Sequence, residues 1–174
     1  GGAWIRHTKD NIDAFIFRPF NNYGFRQHYK GYLAGIIPIT IFRIMKGDSP
    51  EIHGEGNQTR DFIFVEDTLE AVTKLFPIMK PAESINISTG GQISIREVIH
   101  KICSLMNYQG KILYKSARVA DVQTHNSNNN KMKSMIKYQF TDFDQGLAKT
   151  IQWYIDNIND YKLKEKIRIS SFWI

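Results

Sequence analysis

Residues 14–24 read AFIFRPFNNYG, an apolar run that leads directly into a polar loop. The run at residues 14–17 has the composition of a buried strand, and Arg18-Pro19 ends it because proline lacks a backbone donor. Residues 21–35 are rich in asparagine, glycine and tyrosine, which is typical of a long functional loop. Ligands of open α/β sheets gather at the carboxyl ends of strands, so this loop is the first candidate site.

The chain after this loop alternates between helical and strand-like patterns, which favours the α/β class with parallel strand pairing. Short apolar runs predict strands at residues 61–65, 85–87 and 112–114, and a turn leads into a short segment around residues 52–53. Four helices are predicted from apolar positions: Ile37, Ile41, Ile44 and Met45, closed by Gly47; Leu69, Val72, Leu75 and Phe76; Ile95, Val98, Ile99, Ile102, Leu105 and Met106, capped by Ser94; and Leu147, Ile151, Tyr154 and Ile155.

The composition is that of an ordinary globular protein. With 174 residues, 42% of them apolar and 23% charged, the chain fits one domain or slightly more and is not disordered. No apolar run approaches the ~20 residues needed to span a bilayer, so no membrane partner is predicted. Cys103, within the apolar run at residues 98–106, is predicted to be a buried core thiol. Nothing requires an oxidising compartment, which predicts a cytoplasmic location.

The formal net charge of +6 suggests an anionic partner, which could be a nucleic acid, a membrane surface or a phosphorylated small molecule. The basic residues form no arginine-rich or aromatic–basic motif, so no nucleic-acid partner is predicted. A basic segment at residues 158–174 is interpreted as a solvated tail. Charge alone leaves the identity of the anion open.

Two arginines are candidate ligand-binding residues. Arg60 lies between a glycine turn and an apolar run, so its guanidinium is expected to be partly buried and to need an anionic partner. The carboxylate of Asp61 and a ligand phosphate are both possible partners. Arg118 and Asp121 pose the same question in a loop, where a surface ion pair is the alternative.

The sequence contains no visible catalytic or metal-binding constellation. Its five histidines are scattered without metal-ligand spacing, and His100, inside an apolar helical pattern, is predicted to be structural. No glycine-rich dinucleotide motif and no phosphate-binding P-loop occurs. We therefore predict neither catalytic residues nor a metal site in this chain.

Several blocks, taken in order, resemble the extended short-chain dehydrogenase/reductase family, and within it the NAD-dependent nucleotide-sugar epimerases and dehydratases. The resemblance covers roughly residues 10–157, so that the chain corresponds to the carboxyl-terminal part of such an enzyme. It implies the last strands of a Rossmann-type parallel sheet and a small C-terminal α/β substrate-binding domain. The matching blocks are RPFNNYG at 18–24, RQ at 26–27, GIIP at 35–38, IHGEGNQTRDFIFVED at 52–67, INISTG at 85–90, RVAD at 118–121, and residues 146–154.

The resemblance implies substrate-binding roles for individual residues. Asn21 matches an asparagine that bonds the diphosphate or the sugar, and Arg60 and Arg118 match two arginines that grip the diphosphate. Asp121 matches an acidic residue that contacts ribose or orients an arginine. Ile36 matches an apolar contact in the nucleotide site.

Three further positions complete the comparison, and two departures qualify it. Pro19 and Phe20 match positions beside the nicotinamide. His53 stands where the family usually has a Tyr or Phe that packs on the nucleotide base. Phe25 replaces a proline, and Val119-Ala120 replaces a Pro-Gly turn, so base recognition and the Arg118 loop differ from the family pattern.

In that family, NAD oxidises a sugar hydroxyl to a transient ketone, which permits epimerisation or elimination of water in carbohydrate biosynthesis. The dinucleotide fingerprint and the Tyr-x-x-x-Lys pair of the family precede the Arg-Pro-x-Asn block, and we expect them upstream of Gly1. The chain is therefore expected to be an isomerase or lyase fragment that is inactive alone, from an intact homodimer, and that need not itself dimerise. A non-catalytic nucleotide-sugar-binding module is the alternative.

Overall fold

The computed structural model describes residues 14–31, 34–117 and 122–170, with side chains as far as residue 157. It confirms the α/β class with parallel strand pairs. The helices are α1 (Ile36–Met45), α2 (Val65–Leu75), followed by a 3₁₀ turn (Phe76–Ile78), α3 (Ile95–Leu105), α4 (Asn130–Met135) and α5 (Phe143–Ser170). The strands are β1 (Ile16–Pro19), β2 (Asn22–Tyr23), β3 (Glu51–His53), β4 (Thr59–Arg60), β5 (Ile63–Phe64), β6 (Ser84–Ile87), β7 (Ile93–Ser94), β8 (Leu113–Lys115) and β9 (Thr124–His125).

The strands pair in small, mostly parallel groups. The pairs β1–β6, β2–β5 and β3–β8 are parallel, as is β4–β9, whereas β4 and β7 are antiparallel. In the β1–β6 pair, Ile16 lies opposite Ser84 and Pro19 lies opposite Ile87. Parallel strands need long crossover connections, and here α1, α2 and their loops lie between β1 and β6. Pro19 belongs to the strand rather than ending it, at the last position, where proline is tolerated.

Three apolar clusters hold these elements together. The largest joins β2, α1, α3 and α5, and at its centre Tyr29 stacks on Phe42 with ring centroids 3.6 Å apart. A second cluster packs α2 and α4 against β6 through residues such as Leu75, Ile85 and Met132. The third lies behind β3 and joins Ile52, Ile99 and Cys103. Burial of these faces is the main stabilising contribution to the fold.

The thiol of Cys103 is buried, with 8% of the residue exposed, as the sequence predicts. Burial raises the pKa of this thiol above its usual value, which lowers the thiolate fraction at neutral pH. We expect a disulfide reagent to label the folded chain about a hundredfold or more slowly than the chain unfolded in urea, because labelling needs local opening. Equal rates in both states would show that the third cluster is not formed.

The apolar pattern predicted only part of the buried face of helix α2. Leu69 and Phe76, predicted to be core positions, are 62% and 63% exposed. Leu75 is buried as predicted, and the other buried residues of this helix are Asp67, Thr68 and Ala71. Asp67 can be buried because it accepts hydrogen bonds from the Tyr138 hydroxyl (2.7 Å), the Thr141 amide (3.0 Å) and the Thr141 hydroxyl (2.7 Å).

Three other sequence interpretations are corrected. The strand predicted at residues 61–65 is reduced to Ile63–Phe64, because α2 begins at Val65. His100 is exposed and lies outside the core, although it falls inside an apolar helical pattern. Ile155, expected on the core face of the last helix, is exposed. The backbone of that helix continues to Ser170, so most of the basic segment is helical.

The helix α3 agrees with its sequence prediction. The hydroxyl of Ser94 accepts a hydrogen bond from the Glu97 amide at 3.1 Å, which is the predicted N-cap. Val98, Ile99 and Ile102 are buried, while Leu105 at the last turn is exposed. Among the described helices, none is both long enough and apolar enough to cross a bilayer.

Candidate functional site

A cleft of about 240 Å³ opens where β2, β3, β4 and the amino terminus of α1 meet. Its walls carry several polar side chains, and apolar residues form the rest of the surface. The lining residues are Asn21, Asn22, Tyr23, Gln27, Gly35, Ile36, Ile37, Glu51, His53, Gln58, Arg60, Phe62 and Ile95.

The amino terminus of α1 faces this cleft. Gly35 is its N-cap and makes no side-chain capping bond, since glycine has no side chain. The first bond of the helix runs from the Ile39 amide to the Gly35 carbonyl at 3.1 Å, so the amides of Ile36 and Ile37 precede the hydrogen-bonded ladder. Amides that have no acceptor within the helix, together with the helix dipole, favour a negatively charged group beside them in the cleft.

Asn21 is held at the cleft by a strained backbone and by one hydrogen bond. Its φ angle is +22°, and its side-chain amide donates to the Asp61 carbonyl at 3.2 Å. The carboxylate of Asp61 is buried and accepts from the Thr89 amide (3.0 Å), the Thr89 hydroxyl (2.6 Å) and the Gly90 amide (2.9 Å). The buried aspartate therefore fixes the loop that presents Asn21.

Arg60 is half-buried on β4, as the sequence predicts. Its Nη1 donates to the Thr59 carbonyl at 2.8 Å and to the Val122 carbonyl at 2.7 Å, so the guanidinium is tethered to backbone on two sides. The carboxylate of Asp61 is engaged by Thr89 and Gly90, as described above. A tethered, planar guanidinium is pre-organised to bond two oxygens of an anion such as a phosphate.

His53 lies on β3 with its ring half-buried in the cleft wall. Its Nδ1 is 3.3 Å from the carbonyl oxygen of Ser116. A carbonyl can only accept, so Nδ1 carries the proton, and in the neutral ring Nε2 is left as an acceptor. The amide of Gln58 lies 3.5 Å from the His53 carbonyl, and Gln58 also lines the cleft.

Four of the residues predicted to bind substrate thus converge on one cleft: Asn21, Ile36, His53 and Arg60. Arg118 and Asp121 lie outside the described residues. Pro19 and Phe20 lie at the carboxyl end of β1 and are not part of the cleft lining.

Sequence reasoning assigned no site role to the polar lining residues Asn22, Gln27, Glu51 and Gln58. The alternation of strand side chains could have found Glu51, because residues two apart on a strand share a face and His53 was already a candidate.

Tyr23, the tyrosine of the cleft lining, is not suited to proton transfer. Burial raises the pKa of its hydroxyl well above the usual range, and nearby Asp67 raises it further. Its hydroxyl donates to the Phe143 carbonyl at 3.3 Å. Within the part of the chain that the structure describes, no group of three or more His, Cys, Asp or Glu side chains could hold a metal ion.

The fold is that of known sugar-nucleotide enzymes. The crystal structure of UDP-glucose 4-epimerase from Thermotoga maritima, solved with UDP-glucose, matches with a TM-score of 0.82 at 23% sequence identity, over 90% of this chain and 51% of that one. This likeness defines the class of fold: the chain has the α/β fold of part of a Rossmann-like protein.

Sequence comparison defines the family. The model of the NAD dependent epimerase/dehydratase family matches residues 3–88. A UDP-N-acetyl-alpha-D-glucosaminuronate decarboxylase from Bacillus cytotoxicus is 32% identical over 163 residues, covering 90% of this chain and 50% of that protein. A GDP-L-fucose synthase from Sinorhizobium fredii is 28% identical over 147 residues, covering 82% and 47%. The chain belongs to the NAD-dependent epimerase/dehydratase family.

The comparisons also set the extent of the match. The chain spans about half the length of the curated relatives it matches. The names of those two relatives carry different bases, one uridine and one guanosine, so family membership leaves the base open.

Proposed function

We propose that the cleft binds the nucleoside diphosphate of a nucleotide sugar and so serves as the substrate-anchoring part of an NAD-dependent epimerase or dehydratase. The observation that carries this proposal is the convergence of Asn21, Ile36, His53 and Arg60 on one cleft at the amino terminus of α1. These residues come from four separate segments of the sequence.

Each lining group has a task in this proposal. Arg60 and the amides at the start of α1 neutralise the diphosphate, because both favour negative charge. Asn21 bonds a diphosphate or sugar oxygen. Ile36 and His53 form the apolar and aromatic walls that receive the base. Binding energy gained here, remote from the reacting carbon, positions the sugar for reaction.

The fit to NAD concerns the carboxyl end of β1. Pro19 and Phe20 lie at the carboxyl end of a parallel strand, where cofactors of Rossmann-type sheets bind, and we propose that they contact the nicotinamide. When bound, NAD supplies a hydride acceptor for the sugar hydroxyl. The contribution of Pro19 and Phe20 is to exclude water and to orient the ring.

A non-catalytic nucleotide-sugar-binding module is the second candidate function. It uses the same cleft and differs in having no need of NAD. The cleft itself favours it, because the described lining offers binding groups and Tyr23 is held protonated. NAD that tightens nucleotide-sugar binding to the chain would favour the enzyme part over the module.

Titration calorimetry with UDP, dTDP, GDP and CDP tests the proposal. We expect at least one diphosphate to bind. Arg60→Ala is expected to raise its dissociation constant about ten- to hundredfold, since a hydrogen bond to a charged group contributes roughly 1.5–3 kcal/mol. Lys149→Ala is the control, because it removes an exposed positive charge that pairs with Glu66 at 3.5 Å. Equal weakening in both variants would mean that only the overall charge matters.

A further inference from the structure

One carboxylate lines a cleft that otherwise offers groups suited to an anion. Glu51 lies at the start of β3 with its side chain 26% exposed, and it shares the cleft with Arg60 and the amino terminus of α1. A carboxylate in such a cleft repels the phosphate groups of a ligand and attracts its hydrogen-bond donors. The position of Glu51 therefore predicts a hydrogen-bond donor on the uncharged part of the ligand.

Two cations hold this carboxylate in place. The Nη2 atom of Arg43 lies 3.0 Å from Oε1 of Glu51, and Nζ of Lys115 lies 3.9 Å from the same oxygen. Arg43 is fixed in turn, because its Nε donates to the Ser49 carbonyl at 2.6 Å. Both of these cationic contacts fall on Oε1 of the carboxylate.

Glu51 lies beside the residues proposed to receive the base. Side chains two apart on a strand share a face, so Glu51 and His53 face the same way, about 6.6 Å apart along β3. Ile52 between them points to the other face and is fully buried, and Ile36 packs against that buried cluster. Asn21 and Arg60 are linked to each other through Asp61 instead. Glu51 and His53 thus share the face of β3 that lines the cleft.

The chemistry of the bases decides what an acceptor beside His53 would select. A carboxylate accepts two hydrogen bonds from adjacent donors, and guanine presents such a pair in its N1–H and its exocyclic amino group. Uracil and thymine present one N–H between two carbonyl oxygens, which the carboxylate repels. Cytosine and adenine present an amino group beside a ring acceptor. Guanine is the base whose edge complements Glu51.

We propose that Glu51 is the base-selecting residue of the cleft and that it favours a guanosine diphosphate sugar. This inference rests on the proposed function and adds the substrate class to it. Arg43 and Lys115 are positioning residues, since they act by holding the carboxylate.

The test is calorimetry of the full chain with GDP, IDP, UDP and CDP, for wild type and for Glu51→Gln. IDP keeps N1–H but lacks the amino group, so it separates the two donors. We expect GDP to bind at least about tenfold more tightly than UDP or CDP, with IDP between them. Glu51→Gln keeps the shape of the side chain, and we expect it to weaken GDP binding about tenfold while leaving UDP binding unchanged.

The other possible outcomes contradict either the base selection or the proposed function. Equal binding of GDP and UDP, unaffected by Glu51→Gln, would overturn the base selection and leave the proposed function intact. Equal weakening of all four diphosphates in Glu51→Gln would mean that Glu51 binds the ribose or supports the cleft, which also overturns base selection. If no diphosphate binds the wild-type chain, the proposed function fails and the inference fails with it. The melting temperature of Glu51→Gln identifies a variant that has simply lost its fold.

Discussion

Replacing Asp61 with alanine is expected to lower the free energy of unfolding by about 3–5 kcal/mol and to abolish nucleotide binding in the same step. Asp61 is fully buried, and its carboxylate accepts three hydrogen bonds, two from Thr89 and one from the Gly90 amide. Removing the carboxylate takes the acceptor away from these part-buried hydrogen bonds, and a donor left unsatisfied costs about 1–3 kcal/mol. The same residue's carbonyl holds Asn21, so the cleft is expected to change with the fold.

Urea unfolding followed by circular dichroism measures the stability, and calorimetry measures the binding. Asp156→Ala is the matched control, because Asp156 is exposed and accepts a bond from Gln152 on the same helix, so a change within about 0.5 kcal/mol is expected. A double mutant with Thr89→Ala is expected to be less destabilised than the sum of the single mutants, because the two residues share hydrogen bonds. Additive effects would show that the Asp61–Thr89 contacts contribute little.

Asp61 also shows what adjacency in a sequence can and cannot predict. Arg60 and Asp61 are neighbours, so an ion pair between them was one of two open alternatives. On a strand, neighbouring side chains point to opposite faces. Arg60 faces the cleft, and Asp61 faces the loop after β6, where Thr89 and Gly90 donate to it. Strand alternation could have favoured the ligand-facing arginine, whereas the partners of Asp61, 28 and 29 residues away, could not be read from the pattern.

The helices were predictable wherever local signals and burial agree. The Ser94 cap and the apolar face of α3 are local features, and both appear in the structure. Helix α2 differed because its buried face includes Asp67, whose hydrogen-bond donors at Tyr138 and Thr141 lie more than 70 residues further along the chain. The prediction from apolar positions treated carboxylates as exposed. It therefore placed Asp67 towards solvent and Leu69 in the core.

The sequence predicted several residues of the candidate site but not the cleft that they line. Arg60 was a candidate from its sequence context, and the resemblance assigned roles to Asn21 and His53; the fold brings all three to one cleft. Glu51 was passed over because a single acidic residue near a glycine turn carries no signal by itself. Its meaning comes from Arg43, eight residues away on α1, and from the cleft that both elements border.

Two glycine substitutions separate the effect of backbone strain on the free energy of unfolding from the effect of crowding. Gly56 lies in the turn between β3 and β4, with φ +72°, and a β-carbon there would lie 2.8 Å from Ile52 Cγ2 and 3.1 Å from the Arg96 amide nitrogen. Gly47 has φ +79°, but a β-carbon there would meet nothing within 4 Å. We expect Gly47→Ala to cost about 1 kcal/mol of unfolding free energy and Gly56→Ala about 2–4 kcal/mol, since the second adds overpacking to the strained φ.

The two variants should also differ in ligand binding, because the Gly56 turn sets the spacing between His53 and Arg60. The Arg96 amide donates to the Gly56 carbonyl at 2.9 Å, so an added methyl group pushes the turn away from the start of α3. Calorimetry with the diphosphate that binds the wild type is expected to show weakened binding for Gly56→Ala and unchanged binding for Gly47→Ala. Equal unfolding free energies and equal affinities in the two variants would mean that the turn accommodates the methyl group, and that His53 and Arg60 do not depend on its close packing.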